Sequence, residues 1–320
     1  MEERNRAVWL VSNLKVAVIG AGTMGRGIAQ VFAQAGHDVR LIDEVEGALD
    51  AAVSTMRENL NFLIQLGINS TIDPEKILRR VHTSRRLESE LTDIEFVTEA
   101  VSEDLKLKQE VFRRADAVVP KSAILASNTS GLSITEIANA TGTPSRVIGT
   151  NWWNPAHIIP LVEMAKGSST SEETVQKTRE ILAGVGKKPI LVQKPVQGFV
   201  GNRLQMALFR EALDLLENGV ASIEDIDAAV TYGLGFRYAV LGPFRTADYG
   251  GLDVFHHLSK ELYADLGCPT EPQEVLANLV REGKLGVKSG RGFYSYDQMT
   301  ISRALADRDR RLLGVLRAIR

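Results

Sequence analysis

A glycine-rich turn between two apolar segments constrains the fold of this chain more than any other feature. The chain runs from the apolar segment 15–19 through Gly20-x-Gly22-x-x-Gly25 into a helix-compatible stretch, and then into a second apolar segment that ends in Asp43. This order predicts a strand, a tight turn, a helix and a second, parallel strand. The first glycine permits the turn, the second lets a pyrophosphate approach the backbone, and the third lets the helix pack on the strand.

Asp43 indicates which dinucleotide such a turn would bind. It lies 23 residues after Gly20, at the end of the second strand, where a carboxylate can accept hydrogen bonds from ribose hydroxyls. An acidic group there would repel a 2′-phosphate, so NAD is predicted rather than NADP. The predicted cofactor contacts in this unit are Gly20, Gly22, Thr23, Met24, Gly25 and Asp43.

Strand-like and helical segments alternate as far as about residue 195 and not beyond it. Short apolar runs separated by helical segments recur at 95–97, 123–126, 146–149 and 189–192. This alternation predicts an α/β fold with a Rossmann-type, doubly wound and mostly parallel sheet. The pattern from Phe199 onward is helical, so an all-α C-terminal domain is predicted, with domain bounds of 1–195 and 196–320.

Composition excludes several classes of function. The chain has 38 basic and 40 acidic residues, without the cationic excess of proteins that bind nucleic acid or anionic membranes. Its one cysteine, Cys268, cannot form an internal disulfide, and no Cys or His cluster has the spacing of metal ligands. No run approaches the roughly eighteen apolar residues of a membrane span. We therefore expect a cytoplasmic protein without metal, with residues 1–13 as a short extension before the first strand.

Four further segments carry ordered motifs at compatible spacing. They are Ser-Asn-Thr-Ser at 127–130, Asn-Trp-Trp-Asn-Pro at 151–155 with Glu163, Gly-Phe-Val-Gly-Asn-Arg at 198–203, and Lys-Ser-Gly-Arg-Gly-Phe-Tyr at 288–294. Together they resemble the signatures of the L-3-hydroxyacyl-CoA dehydrogenase family over nearly the whole chain. The resemblance implies an NAD-binding domain, a helical domain that forms a homodimer, and NAD-linked oxidation of a 3-hydroxyl to a ketone, as in fatty acid metabolism.

The resemblance also implies roles for individual polar residues. Glu103 and Lys108 would lie near the nicotinamide side of the cofactor, and Asn128 and Ser130 would contact nicotinamide and substrate. Asn202 would complete the catalytic pocket. Hydroxyl and amide groups suit this task because they can orient the reacting groups without adding charge.

The chain departs from the family pattern at residue 151, the position of the catalytic base. The family has a histidine there, oriented by a glutamate twelve residues later, whereas this chain has Asn151 and keeps Glu163. An amide cannot accept a proton near neutral pH. Three accounts stay open: His157 supplies the base, Glu163 works through a water molecule, or the site is impaired and the chain binds NAD with little or no turnover.

A second departure concerns the substrate. Before the segment 248–253, the insertion Arg-Tyr-Ala at 237–239 resembles relatives that act on free hydroxy acids, namely the lambda-crystallin/gulonate, carnitine and pyridine-carboxylate dehydrogenases. Arg237 is a candidate clamp for a substrate carboxylate, with a surface ion pair as the alternative. Acyl-CoA members often carry several lysines in the helix after the second strand, where the segment 57–67 offers one arginine.

The substrate class is thus left open between a short 3-hydroxyacyl-CoA and a small free hydroxy acid. In both cases the partner is a small molecule. The expected substrate contacts are Ser130, Asn154 and Arg237.

Overall fold

The computed structural model describes residues 13–67, 73–194, 196–296 and 298–319. The predicted extension at 1–13 therefore lies, apart from Asn13, outside the described residues, as does Pro195 at the predicted domain boundary. The chain divides after Asn202 into two compact units.

In the described part of the first unit, eight strands form one sheet. The strands are β1 Lys15–Ile19, β2 Asp38–Ile42, β3 Val81–Ser84, β4 Phe96–Glu99, β5 Ile124–Ser127, β6 Val147–Trp152, β7 Leu161–Lys166 and β8 Lys188–Val192. Their order is β3-β2-β1-β4-β5-β6-β7-β8, and every neighbouring pair is parallel except β6 and β7. The predicted Rossmann-type sheet is confirmed, although the apolar runs did not reveal β3 and β7.

Helices connect these strands. They are α1 Thr23–Gln34, α2 Ala48–Gln65, α3 Pro74–Leu78, α4 Leu87–Glu90, α5 Leu105–Val118, α6 Ile134–Ala138 and α7 Glu172–Gly184, with a 3₁₀ turn at Pro144–Arg146. The start of α3 shows how local sequence sets these bounds. Asp73 accepts hydrogen bonds from the backbone N–H groups of Glu75 and Lys76, and Pro74 occupies the first helical position.

Alternating strand residues divide the core between the two faces of the sheet. Val16 and Val18 of β1 pack in one buried cluster with α1, whereas Ala17 and Ile19 pack in another with α5. Because both faces are covered, β1, β4 and β5 are buried almost throughout. The strand order reverses between β1 and β4, and ligands of such sheets bind at the carboxyl ends of the strands beside that point.

The second unit contains helices and no named strand among its described residues. Its helices are α8 Gly201–Glu217, which begins just before the division, α9 Ile223–Ala229, α10 Gly235–Tyr238, α11 Pro243–Gly250, α12 Leu252–Leu262, α13 Glu274–Arg281 and α14 Gln298–Ala318, with a π-helical turn at Val230–Leu234. The predicted all-α domain is confirmed. Residues 292–294 are bounded by isolated bridges of Arg291 with Gly286 and Ser295.

Two features are absent from the described residues. None of their helices is both long and apolar enough to cross a membrane. They also contain no group of three or more His, Cys, Asp or Glu side chains arranged to hold a metal ion.

Candidate active site

The three glycines after β1 have different structural requirements. Gly20 has a φ of +100°, and a Cβ there would lie 2.7 Å from the Ala100 carbonyl oxygen. A Cβ on Gly25 would lie 1.7 Å from the carbonyl oxygen of Gly20. A Cβ on Gly22 would meet nothing within 4 Å. The fold itself therefore requires glycine at positions 20 and 25, whereas the second glycine leaves open space where a ligand can approach the backbone.

The N-terminus of α1 opens into that space. Gly22 is its N-cap, and no side chain among the described residues caps it. Gly22 and Thr23 are exposed and Met24 is half-buried. The first N–H groups and the positive end of the helix dipole are thus accessible, which is the arrangement that binds phosphate groups.

Asp43 lies beside this turn, immediately after β2. Its carboxylate accepts hydrogen bonds from Ala21 N at 2.7 Å and from Val45 N at 2.8 Å. It also lines a cleft of about 350 Å³ at the carboxyl ends of the strands. Arg114 is the one cation among the described residues of the lining, and it is paired with Glu44 and Glu88 at 3.1 and 2.7 Å. Among these residues the cleft therefore offers a carboxylate to ribose hydroxyls and no unpaired cation to a 2′-phosphate.

Glu99 and Lys108 form a buried ion pair behind the site. Lys108 Nζ lies 2.7 Å from Glu99 Oε1, and both side chains are fully buried. Glu99 also accepts hydrogen bonds from Val101 N and from the Ser127 hydroxyl, each at 2.7 Å. Sequence reasoning missed Glu99, although a charged residue at the carboxyl end of a buried parallel strand is itself a signal for a site.

Glu103 joins this ion pair to the loop after β5. Its Oε1 accepts hydrogen bonds from Thr129 Oγ1 at 2.6 Å, Ser130 N at 2.9 Å and Ser130 Oγ at 3.3 Å. Lys108 Nζ lies 3.4 Å from its Oε2. Burial acts to raise the pKa of Glu103, but these hydrogen bonds and the Lys108 charge outweigh it and hold the pKa below its usual value.

Asn128 links the ends of β5 and β6. Its side-chain Oδ1 accepts a hydrogen bond from Trp152 N at 2.9 Å. Its backbone N–H donates to the backbone carbonyl of Glu99 at 2.7 Å. Trp152 directly follows Asn151. The loop that carries Ser130 is therefore fixed beside the strand that carries Asn151.

Asn151 and Glu163 face each other across the antiparallel pair of β6 and β7. Asn151 Nδ2 donates to Glu163 Oε2 at 2.8 Å. The Glu163 carboxylate also accepts hydrogen bonds from Trp153 Nε1 at 3.2 Å, Val200 N at 3.0 Å and Gly201 N at 2.9 Å. Glu163 is fully buried, and its negative charge is stabilised by four donors, two of them at the N-terminus of α8. The sequence patterns gave no sign of Trp153 as a partner.

The other predicted site residues lie at different places. His157 is half-buried in the turn between β6 and β7, which Lys187 fixes by donating to Ala156 O at 2.6 Å and Ile159 O at 2.8 Å. Asn154 is exposed in the same loop, and Asn202 is half-buried in the first turn of α8. In the second unit, Arg237 is exposed on α10 and makes no ion pair with any described residue.

The glycine geometry makes a direct prediction. We expect Gly22→Ala to leave the thermal unfolding midpoint unchanged, because its φ of −66° suits alanine and the added methyl meets nothing. The same methyl should raise the Kd for NAD about tenfold or more, since it fills the space that a pyrophosphate would use. Calorimetric titration measures the Kd. Gly25→Ala is the contrasting control, and it should lower the thermal unfolding midpoint. A Gly22→Ala variant that binds NAD as tightly as the wild type would contradict the assignment of this space to the pyrophosphate.

Two family models match most of the chain. The model described as 3-hydroxyacyl-CoA dehydrogenase, NAD binding domain, matches residues 15–195. The model described as 3-hydroxyacyl-CoA dehydrogenase, C-terminal domain, matches residues 198–296.

Individual relatives cover almost the full chain. It is 35% identical to 5-formyl-3-hydroxy-2-methylpyridine 4-carboxylate 5-dehydrogenase of Mesorhizobium japonicum, over 95% of this chain and 97% of that protein. It is 38% identical to 3-hydroxybutyryl-CoA dehydrogenase of Clostridioides difficile, over 89% of this chain and 100% of that protein.

Solved structures show the same two kinds of relative. A crystal structure of the pyridine-carboxylate 5-dehydrogenase, described as an NAD⁺-dependent dismutase, matches with a TM-score of 0.88 and 34% identity over 96% of this chain and 99% of that chain. The (S)-3-hydroxybutyryl-CoA dehydrogenase of Ralstonia eutropha matches with a TM-score of 0.73 and 34% identity, over 90% of this chain and 100% of that chain.

Proposed function

The chain belongs to the 3-hydroxyacyl-CoA dehydrogenase family, and on that premise we propose that it oxidises a small free hydroxy acid, with a short 3-hydroxyacyl-CoA as the alternative substrate. It is an NAD-dependent oxidoreductase that acts on a CH–OH group. The observation that carries the choice of substrate is the exposed guanidinium of Arg237, which has no ion-pair partner among the described residues and can bind a carboxylate.

The residues around the glycine turn fit the cofactor. The open space at Gly22, the uncapped start of α1 and the Asp43 carboxylate would hold the pyrophosphate and the adenosine ribose. Asn128, Glu103 and Lys108 would lie toward the nicotinamide. NAD, when bound, supplies the acceptor for the hydride of the carbinol carbon.

The polar groups near residue 151 would orient the substrate hydroxyl. Because a carboxylate only accepts hydrogen bonds, Glu163 fixes Asn151 with Nδ2 toward itself and Oδ1 away from itself. The second N–H of Asn151 Nδ2 would then donate to the hydroxyl oxygen, so Asn151 orients the hydroxyl without taking its proton. Ser130, Asn154 and Asn202 would complete the polar lining, and His157 remains a candidate base.

The helix α2 supports a free acid over a CoA thioester. Its Arg57 is bound to Glu75, with Nε–Oε1 and Nη2–Oε2 distances of 2.7 and 3.4 Å. The other charged side chains in 46–66 are acidic. This surface therefore offers no unpaired cation to the phosphates of a CoA, which supports the smaller substrate.

We expect Arg237→Ala to raise the KM for a free hydroxy acid about 10- to 100-fold, the worth of a charge-assisted hydrogen bond of about 1.5–3 kcal/mol. A 3-hydroxyacyl-CoA, which has a thioester in place of the carboxylate, should be much less affected. Arg245→Ala removes another exposed cation of the second unit and serves as the matched control. An equal rise in KM with both substrate classes would show that Arg237 has a structural role and does not bind the carboxylate.

A homodimer would cover the apolar surface of the second unit. Phe244 is 86% exposed, and Tyr232, Phe236, Tyr249 and Tyr263 are also largely exposed. Soluble monomers rarely leave a large apolar surface uncovered, and most oligomers are symmetric. We propose a cytoplasmic homodimer that binds neither nucleic acid nor membranes, which agrees with the near-balanced charge of the chain.

Light scattering tests the dimer. We expect a mass of twice the 35.1 kDa of the chain at micromolar concentration. Phe244→Asp should shift the mass toward that of the monomer, because a buried carboxylate would have no partner in an apolar interface. A wild-type mass of 35.1 kDa would contradict the proposal.

A panel of substrates tests the proposed function. NADH formation should be fastest with small hydroxy acids that carry a free carboxylate and slower with 3-hydroxybutyryl-CoA. The reverse order would favour the acyl-CoA alternative. NAD binding without NADH formation from any substrate would favour a protein whose site is impaired by Asn151.

A further inference from the structure

We propose that the proton of the substrate hydroxyl leaves the site through Ser130 to Glu103, which makes this carboxylate the proton acceptor that residue 151 does not provide. The inference rests on the proposed function. It concerns a group outside the pair formed by residues 151 and 163.

Neither member of that pair can take the proton. The Asn151 amide has no basic site near neutral pH. Glu163 is fully buried, and four donors fill the roughly four lone-pair positions of a carboxylate. A proton on Glu163 would break at least one of these hydrogen bonds, and the filled positions leave no acceptor site for a bridging water molecule.

Glu103 differs from Glu163 in its access to water. Its side chain is 41% exposed, so a proton that it receives can pass on to solvent. Ser130, which is exposed, lies next to it, with 3.3 Å between Ser130 Oγ and Glu103 Oε1. The backbone N–H of Ser130 donates to the same oxygen at 2.9 Å and fixes the residue there.

The charges around Glu103 keep it ionised at neutral pH. Lys108 of α5 faces Oε2, and Glu99 of β4 holds Lys108 in place from the other side. Thr129 and Ser130 add neutral donors from the loop after β5. Because the pKa of Glu103 lies below its usual value, the accepting form is present throughout the neutral range.

The hydrogen bond between Asn128 and Trp152 places the loop of Ser130 beside residue 151. A hydroxyl oriented by Asn151 can then donate to Ser130 Oγ. In the step itself, the hydroxyl O–H bond breaks and its proton passes to Ser130 Oγ as the Ser130 proton passes to Glu103. Bound NAD would supply the acceptor for the hydrogen and the electron pair of the C–H bond, which would leave the substrate as the carbonyl.

The pH dependence of kcat/KM for a hydroxy acid is the first test. Since ionised Glu103 is required, the wild-type value should be level through the neutral range and should fall only in acid, with a midpoint below the ordinary pKa of a glutamate, about 4.3. Glu103→Gln should lower kcat about 100-fold and abolish this acid limb. An acid limb near pH 6.5 that His157→Ala removes would overturn the route, and so would a rate that keeps rising with pH across the whole range.

A second experiment separates proton transfer from a structural role. In the background of Asn151→His, an imidazole should take the proton, and adding Glu103→Gln should then cost less than about threefold in kcat. If Glu103→Gln lowers kcat equally in the wild type and in Asn151→His, then Glu103 has only a structural or cofactor-binding role. That result would overturn the proposed route. Absence of NADH formation by the wild type with every substrate is a different result, which overturns the proposed function itself and this inference with it.

Discussion

Asn151→His should raise turnover of a hydroxy acid by up to about 100-fold, because a positioned general base contributes about 10²- to 10⁴-fold and the wild type already gains about 100-fold through Glu103. The amide of Asn151 already lies 2.8 Å from Glu163 Oε2, so an imidazole at this position meets a carboxylate that can orient it and stabilise its charge. The mutant should gain an acid limb near the ordinary pKa of histidine, about 6.5, because only the neutral ring accepts a proton. Steady-state kinetics over pH measures both effects.

Two variants control this result. Adding Glu163→Gln to Asn151→His should remove most of the gain, because the imidazolium that forms in the reaction loses its partner. His157→Ala should leave the gain of Asn151→His intact. If Asn151→His gives no gain while His157→Ala abolishes the wild-type activity, the base lies at residue 157 and our account of this site is wrong.

Lys108→Met should lower the free energy of unfolding by about 3–5 kcal/mol. Removing one partner of a buried ion pair leaves the other as an uncompensated charge. Here that charge is Glu99, which is fully buried and would keep only Val101 N and the Ser127 hydroxyl as donors. Urea denaturation followed by circular dichroism measures the loss.

The double mutant Lys108→Met/Glu99→Gln provides the matched control. An amide in place of the Glu99 carboxylate removes the buried charge, so most of the lost stability should return. If the double mutant is as unstable as Lys108→Met, the lost stability reflects altered packing around the lysine side chain and not the buried charge of Glu99.

The βαβ unit and the helical domain could be predicted because local rules decide them. In the βαβ unit, Gly20 and Gly25 are required by backbone geometry, and in the helical domain the apolar spacing from Phe199 onward is that of helices. β3 was missed because this edge strand has the polar sequence Val-His-Thr-Ser, which gives no apolar run. β7 was missed because its apolar pattern is interrupted by Glu163, a residue kept in the strand by donors distant in sequence.

The partners of the site residues depend on these long-range contacts. The spacing of Asn151 and Glu163 could be recognised from the family motif, but the two donors from 200–201 come together with Glu163 only in the fold. The same holds for Glu103 and Ser130, which are 27 residues apart and meet because β4 and β5 are neighbours in the sheet.

The fate of a deuterium label tests the central claim, hydride transfer to NAD in a site with asparagine at residue 151. Wild-type protein and NAD are incubated with a hydroxy acid deuterated at its carbinol carbon, and the NADH is analysed by mass spectrometry. We predict that the reduced cofactor carries the label from the substrate carbon. Reduced cofactor without the label, or none formed with any member of the substrate panel, would contradict the claim.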